Sequence, residues 1–240
     1  MNPMHPYRYN AKTHIGLKRK VNEDSVLALP DHDIWVVSDG MGGHEAGDYA
    51  SGLIADSIAM ISPGLDATAR MHALRDAIQQ AHRVILAEAE ARARGVIGAT
   101  VAALMLADGH FAGIWAGDSR IYRLRNGIID LLTTDHSAVA EFVISGEMSW
   151  DEAEQHPQSN AITRAVGVGE ELELDKVRGE TLPGDRFLLC SDGLTKYATF
   201  AMLEKLLSDC PIETVTDRLI QVALAGGGAD NITVIVVDVL

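Results

Sequence analysis

Cysteine is nearly absent: Cys190 and Cys210 are the only two among 240 residues. A disulfide framework is therefore excluded, and Cys190, set in the apolar run Phe187-Leu188-Leu189-Cys190, reads as a small buried hydrophobe. Long apolar runs are also missing. No window approaches the roughly 18 apolar residues that a membrane-spanning helix needs, and the opening MNPMHPYRYNAKTHIG has no apolar signal core. A cytoplasmic protein without membrane insertion is expected. Basic residues are scarce as well: 20 Lys and Arg stand against 34 Asp and Glu, a formal charge of −14. A field of that sign repels nucleic-acid phosphates, so nucleic acid is not an expected partner. It repels phosphorylated substrates equally, so any phosphate chemistry here needs local cations, either bound metals or a well-placed arginine. Internal repeats, low-complexity tracts and linkers are lacking too. With 47% hydrophobic content, one domain over residues 1–240 has enough apolar material for a large core.

What is present is an ordered series of strand and helix patterns. Residues 25–29 and 34–38 read as short strands joined by the turn-forming Pro30-Asp31-His32-Asp33. Alanine-rich stretches over 47–61 and 66–93 carry apolar residues at three- and four-residue spacing and predict two helices, with Pro63-Gly64 between them. Strand patterns then follow at 100–106, 111–116, 119–124 and 128–132. Asp108-Gly109 and Asn126-Gly127 are two-residue hairpin signals, because both positions of such a turn need positive φ. An antiparallel meander is expected there. A polar, helix-like segment covers 138–155, strands resume at 172–177 and 186–191, helices at 200–207 and 212–225, and a last strand at 232–239. Strand runs broken by helix pairs, without βαβ alternation, predict an α+β fold of antiparallel sheets flanked by helices, an α-β-β-α sandwich.

Three aspartates stand at the ends of apolar strands: Asp39-Gly40, Asp192-Gly193 and Asp230-Asn231. A fourth, Asp118, lies in Ala116-Gly117-Asp118-Ser119-Arg120. Any one Asp-Gly is commonly just a turn. Four carboxylates gathered at one rim would repel each other unless a cation neutralised them, so the set implies metal. The candidate donors are all oxygens, with no Cys-x-x-Cys or His-x-x-x-His, which favours Mg²⁺ or Mn²⁺ over zinc.

The segments Arg19-Lys20-Val21-Asn22-Glu23-Asp24-Ser25, SDGMGGHEAGDYAS (38–51), GAT (98–100), AGDSRIYRL (116–124), TTDHS (133–137), NAITRAVG (160–167), LLCSDGL (188–194) and GGGADNITVIVV (226–237) occur in the order found in the type 2C metal-dependent protein phosphatase (PPM) family, and the chain resembles its compact bacterial branch. The resemblance implies a serine/threonine phosphoprotein phosphatase. Asp39 would bridge two Mn²⁺ or Mg²⁺ ions, the Gly40 carbonyl would bind one of them, and Asp192 and Asp230 would hold the other. Such a pair, roughly 3.5–4 Å apart, activates a water for in-line attack on phosphorus. Glu23 and Asp24 would act through waters around the ions, Asp118 would help bind a third, weaker ion, and Asn231 would support Asp230. Arg19, five residues before Asp24, matches the phosphate-binding arginine, whose guanidinium fork fits two phosphate oxygens. Eukaryotic members carry a histidine directly after the Asp-Gly. Here Met41 takes that place and His44 follows three residues later, either as a general acid or as a cap on the next helix. Implied partners are phosphorylated proteins and a Ser/Thr kinase, in some compact members linked to a secretion system. A catalytically silent phosphoprotein-binding module and a nonspecific acidic metal binder are the competing readings.

Overall fold

The structure is a computed structural model that describes residues 6–42, 46–92 and 95–240. Two antiparallel sheets face each other. The first runs in the order β1 (Tyr7–His14), β11 (Ile232–Val239), β10 (Arg186–Cys190), β7 (Arg120–Arg125), β8 (Ile128–Leu131). The second runs β2 (Asp24–Leu29), β3 (Ile34–Met41), β5 (Val101–Ala107), β6 (His110–Ala116), β9 (Asp175–Glu180), with β4 (Gly98–Ala99) appended to β3.

Period-two alternation sends each strand's side chains to two different apolar layers. Trp35 and Val37 of β3 point into the space between the sheets, where they meet Leu104, Phe187, Leu189 and Ile235. Ile34 and Val36 point the other way, onto helices α1 (Ala46–Ala59) and α2 (Ala67–Arg92) through Ile54, Ile58, Leu74 and Ile78. On the opposite outer face, Leu188, Val234 and Val236 pack on α6 (Phe200–Asp209) and α7 (Ile212–Gly226). Strand β11 is buried at every position because it is covered on both faces, which explains why its sequence is apolar except at Thr233 and Asp238. The result is the expected α-β-β-α sandwich. Cys190 is buried in the outer layer, and both cysteines are free thiols. Among the described residues, no helix is long and apolar enough to cross a membrane.

Both hairpin signals form as read: Asp108-Gly109 and Asn126-Gly127 have positive φ at both positions, 49° and 73°, then 52° and 78°. The continuous meander does not form. β5–β6 and β7–β8 are separate hairpins in different sheets, and the chain crosses between sheets at Gly117-Asp118-Ser119, with Gly117 at φ 110°. Hairpin turns specify local partners and carry no information on where a chain changes sheet. The helix expected over 138–155 is instead two short ones, α3 (Ala140–Ile144) and α4 (Trp150–Ala153), parted by Gly146 at φ 79°. A capping box between Ser149 and Glu152 starts the second. The strand expected at 172–177 begins later, at Asp175, because Leu172 packs into the layer under α2. Strand β1 carries no clear alternation in YRYNAKTH. It is a strand because β11 offers it a full ladder, from Tyr7 opposite Val239 to His14 opposite Ile232.

Candidate metal centre

Both sheets deliver acidic residues to the same end of the sandwich. Asp24 opens β2, and Asp39 lies opposite it near the end of β3. Asp192 follows β10 as the first residue of a short helix, α5 (Asp192–Thr195), and Asp230 lies two residues before the start of β11. Asp118 stands in the crossover from β6 to β7. Thr100 brackets Asp39: its Oγ1 accepts from the Asp39 N–H at 2.9 Å, and its own N–H donates to the Asp39 carbonyl at 2.8 Å.

These carboxyls share one electrostatic field. Loss of hydration, and then the charges of Asp24, Asp192, Asp118 and Asp230, hold the Asp39 pKa well above the ordinary carboxylate range. Burial, then Asp192 and Asp135, do the same to Asp118, with Arg120 and Lys196 opposing. Burial pushes Asp24 up to about 7 against hydroxyl hydrogen bonds from Thr233 and Ser191. One of these bonds, from Ser191 Oγ to Asp24 Oδ2 at 2.8 Å, ties the two sheets together at the site.

Two side-chain cations enter the cluster. Arg19 Nη2 lies 2.9 Å from Asp230 Oδ2, and its Nη1 is 4.0 Å from Glu23 Oε2. Lys196 Nζ lies 2.6 Å from Asp192 Oδ2 and 3.5 Å from Asp230 Oδ2. Asn231 fixes the Arg19 loop to the start of β11: its Oδ1 accepts from Glu23 N–H, and its Nδ2 donates to the carbonyls of Ile15 and Val21. Its backbone N–H also donates to Asp230 Oδ1.

The residues fit a hard divalent cation. The donors are oxygens, and Asp24 Oδ1, Asp118 Oδ1 and Asp192 Oδ1 are buried with no hydrogen-bond partner. The rim backbone is closely packed where only glycine fits. A Cβ on Gly40 would lie 2.0 Å from the Gly47 carbonyl oxygen, and one on Gly193 would lie 1.8 Å from that of Asn231. Among the described residues no three His, Cys, Asp or Glu side chains close into a coordination shell. The carboxylates share a field, with Lys196 and Arg19 interposed.

Arg19, Glu23, Asp24, Asp39, Gly40, Asp118, Asp192, Asp230 and Asn231 are thus brought to one end of the fold. His44 lies outside the described residues. Sequence reasoning missed Lys196, which lies just beyond the LLCSDGL segment. It also left Thr100 without a role although GAT was noted, and it passed over Arg120, Asp135 and Glu154. Arg120 is buried and forks onto Asp135 at 2.7–3.1 Å, meets Glu154 at 2.8 Å and stacks on Trp150. Glu154 thereby fastens the segment around α4 beside Asp118 and Asp192. His136 is a local hydrogen-bonder whose Nδ1 accepts from the Gly117 N–H at 3.0 Å.

Two facing antiparallel sheets, a helix pair on each outer face and carboxylates gathered from both sheets at one end are the architecture of the metal-dependent phosphatase class. The chain belongs to the protein phosphatase 2C family, whose model matches residues 14–225. It is 37% identical over 238 residues to the serine/threonine protein phosphatase PstP of Mycobacterium tuberculosis, an alignment covering 97% of this chain and 45% of that protein. The chain therefore spans about half the length of that relative. Among solved structures, PppA, described as a key regulatory component of T6SS in Pseudomonas aeruginosa, matches with a TM-score of 0.91 and 41% identity over 98% of each chain. The catalytic domain of a PstP in complex with two manganese ions matches with a TM-score of 0.84 and 36% identity, again over 98% of each chain.

Proposed function

We propose that this chain is a single-domain, metal-dependent serine/threonine phosphoprotein phosphatase working with two Mn²⁺ or Mg²⁺ ions and a third, weaker one. The observation that carries the reading is the field of mutually destabilised carboxylates drawn from both sheets, with unpartnered buried oxygens and an arginine at its edge. The manganese pair of the PstP catalytic domain, on the same fold, supports it. Asp39 and the Gly40 carbonyl would hold ions from one sheet, and Asp192 and Asp230 from the other. Asp118 would serve the weaker ion. Bound divalent cations supply Lewis-acid stabilisation at phosphorus and make water acidic enough to attack.

The chain's own residues do the rest. Glu23 and Asp24 would orient water around bound ions, and Asn231 fixes the Asp230 carboxylate through its N–H. Arg19 offers a planar fork to two phosphate oxygens, as an arginine on a positioned loop can. His44 remains a candidate acid for the leaving alkoxide. Substrates are phosphoserine or phosphothreonine proteins made by a cognate kinase, and the likeness to PppA favours a secretion-system setting. The charge of −14 and the absence of a spanning helix among the described residues favour a cytoplasmic location without nucleic-acid partners. Hydrolysis of para-nitrophenyl phosphate and of a phosphothreonine peptide should require millimolar Mn²⁺ or Mg²⁺. Full turnover in excess EDTA would sink the proposal, as would a phosphoenzyme trapped at Asp39 or Cys190.

A further inference from the structure

The chain contains two Asp–Lys pairs at the same helical spacing and the same 2.6 Å separation, Asp192–Lys196 and Lys205–Asp209, in opposite surroundings. The Lys205 and Asp209 side chains are 77% and 59% exposed, and such a surface pair is screened by water and contributes little. The Lys196 and Asp192 side chains are only 18% and 17% exposed. Lys196 also reaches 3.5 Å to Asp230, a residue of a different element. Its ammonium therefore stands between two carboxylates that converge from β10 and β11.

An ammonium donates hydrogen bonds and accepts none, so it cannot share a carboxylate oxygen's lone pair with a metal ion at bonding distance. Two cations also repel each other across a few ångströms of poorly hydrated protein. We propose that Lys196 is a resident counter-cation that competes with divalent ions for Asp192 and Asp230, and so sets the metal concentration at which the site fills. This rests on the ligand roles given above to Asp192 and Asp230. Loading then exchanges one cation for another at these carboxylates. The lysine must swing out of the gap between them, and it holds the two strands' carboxylates together whenever metal is scarce.

The test is calorimetric titration of Mn²⁺ into chelator-stripped protein, at fixed pH and ionic strength, for wild type, Lys196→Met, Lys196→Gln and Lys196→Arg. Both neutral variants should tighten at least one Mn²⁺ binding step by roughly ten-fold or more, and arginine should stay near wild type. Thermal melting gives a second reading. Lys196→Met should melt below wild type in EDTA but not in saturating Mn²⁺, so that its Mn²⁺-induced rise is the larger. Unchanged or weakened affinity in the neutral variants, or an equal loss of melting temperature in both conditions, overturns the proposal and leaves a structural lysine. Asp192→Asn and Asp230→Asn separate this from the ligand assignment. If wild-type Mn²⁺ binding survives both substitutions, the assignment fails, and the role of Lys196 with it.

Discussion

Asp24 and Asp39 are direct partners across the antiparallel ladder of β2 and β3, so two carboxyls project to the same side of one sheet at adjacent positions. Burial of Asp24, and after it the charges of Asp192 and Asp230, disfavour its ionised form. Asp24 therefore holds its proton up to about 7 in the folded chain, against 3.8 for an ordinary aspartate.

The sign of the pH effect follows. Between about 4 and 7 the folded state binds a proton at Asp24 that the unfolded state has released, so stability falls as pH rises through that window. In EDTA, the stability of wild type relative to Asp24→Asn should be greatest below pH 4 and decline by an amount on the order of a few kcal/mol by pH 7. Urea unfolding at stepped pH reads this directly, and a relative stability that rises with pH contradicts the assignment. Saturating Mn²⁺ should flatten the slope, since a bound cation favours the ionised carboxylates.

Arg19 and Asp39 separate positioning from chemistry. Arg19 is 47% exposed, so its ion pair with Asp230 contributes little to holding the rim. Arg19→Ala should keep metal affinity and chiefly raise KM for a phosphothreonine peptide, by about 1.5–3 kcal/mol or roughly 10- to 150-fold, with lysine restoring only part. Asp39→Asn should lose metal affinity and kcat together. Calorimetry beside steady-state kinetics decides, and an Arg19→Ala protein stripped of its metals would reverse the two roles.

Asp118→Asn should slow turnover while leaving two ions bound in crystals. Asp118 sits in the crossover loop, apart from the strand ends that carry Asp39, Asp192 and Asp230. Loss of the central pair from this variant would show that the ligands are divided differently.

Glu154 links α4 to the buried Arg120, and Asp135 remains on that guanidinium if Glu154 is removed. Glu154→Ala should therefore free the 145–160 segment without unfolding the core. Limited proteolysis should cut there faster, and KM for a peptide should change while that for para-nitrophenyl phosphate stays constant. Equal changes for both substrates would place the effect at the metals instead.

The sandwich was legible because its strands announce themselves locally: short apolar runs in β3 and β5, Asp-Gly and Asn-Gly at the turns, and a mostly apolar run in β11. What escaped was set by distant partners. β1 owes its conformation to β11, and the crossover at Gly117 depends on a second sheet that no local pattern specifies. The site divides in the same way. Its aspartates were visible as strand-end residues in ordered motifs, but Lys196 and Glu154 are ordinary charged residues in sequence. They acquire meaning only from what β11 and Arg120 place beside them.

The two halves of the acidic cluster ride on different sheets, Asp24 and Asp39 on one, Asp192 and Asp230 on the other. The gap between them is therefore inherited from the slab of Trp35, Leu104, Phe187 and Ile235 that keeps the sheets apart. That slab acts as a gauge block for the site. A side chain trimmed within it, such as Leu104, leaves a cavity into which the sheets can settle. Even a change of a few tenths of an ångström there would be read out at the far end of the strands as an altered grip on metal.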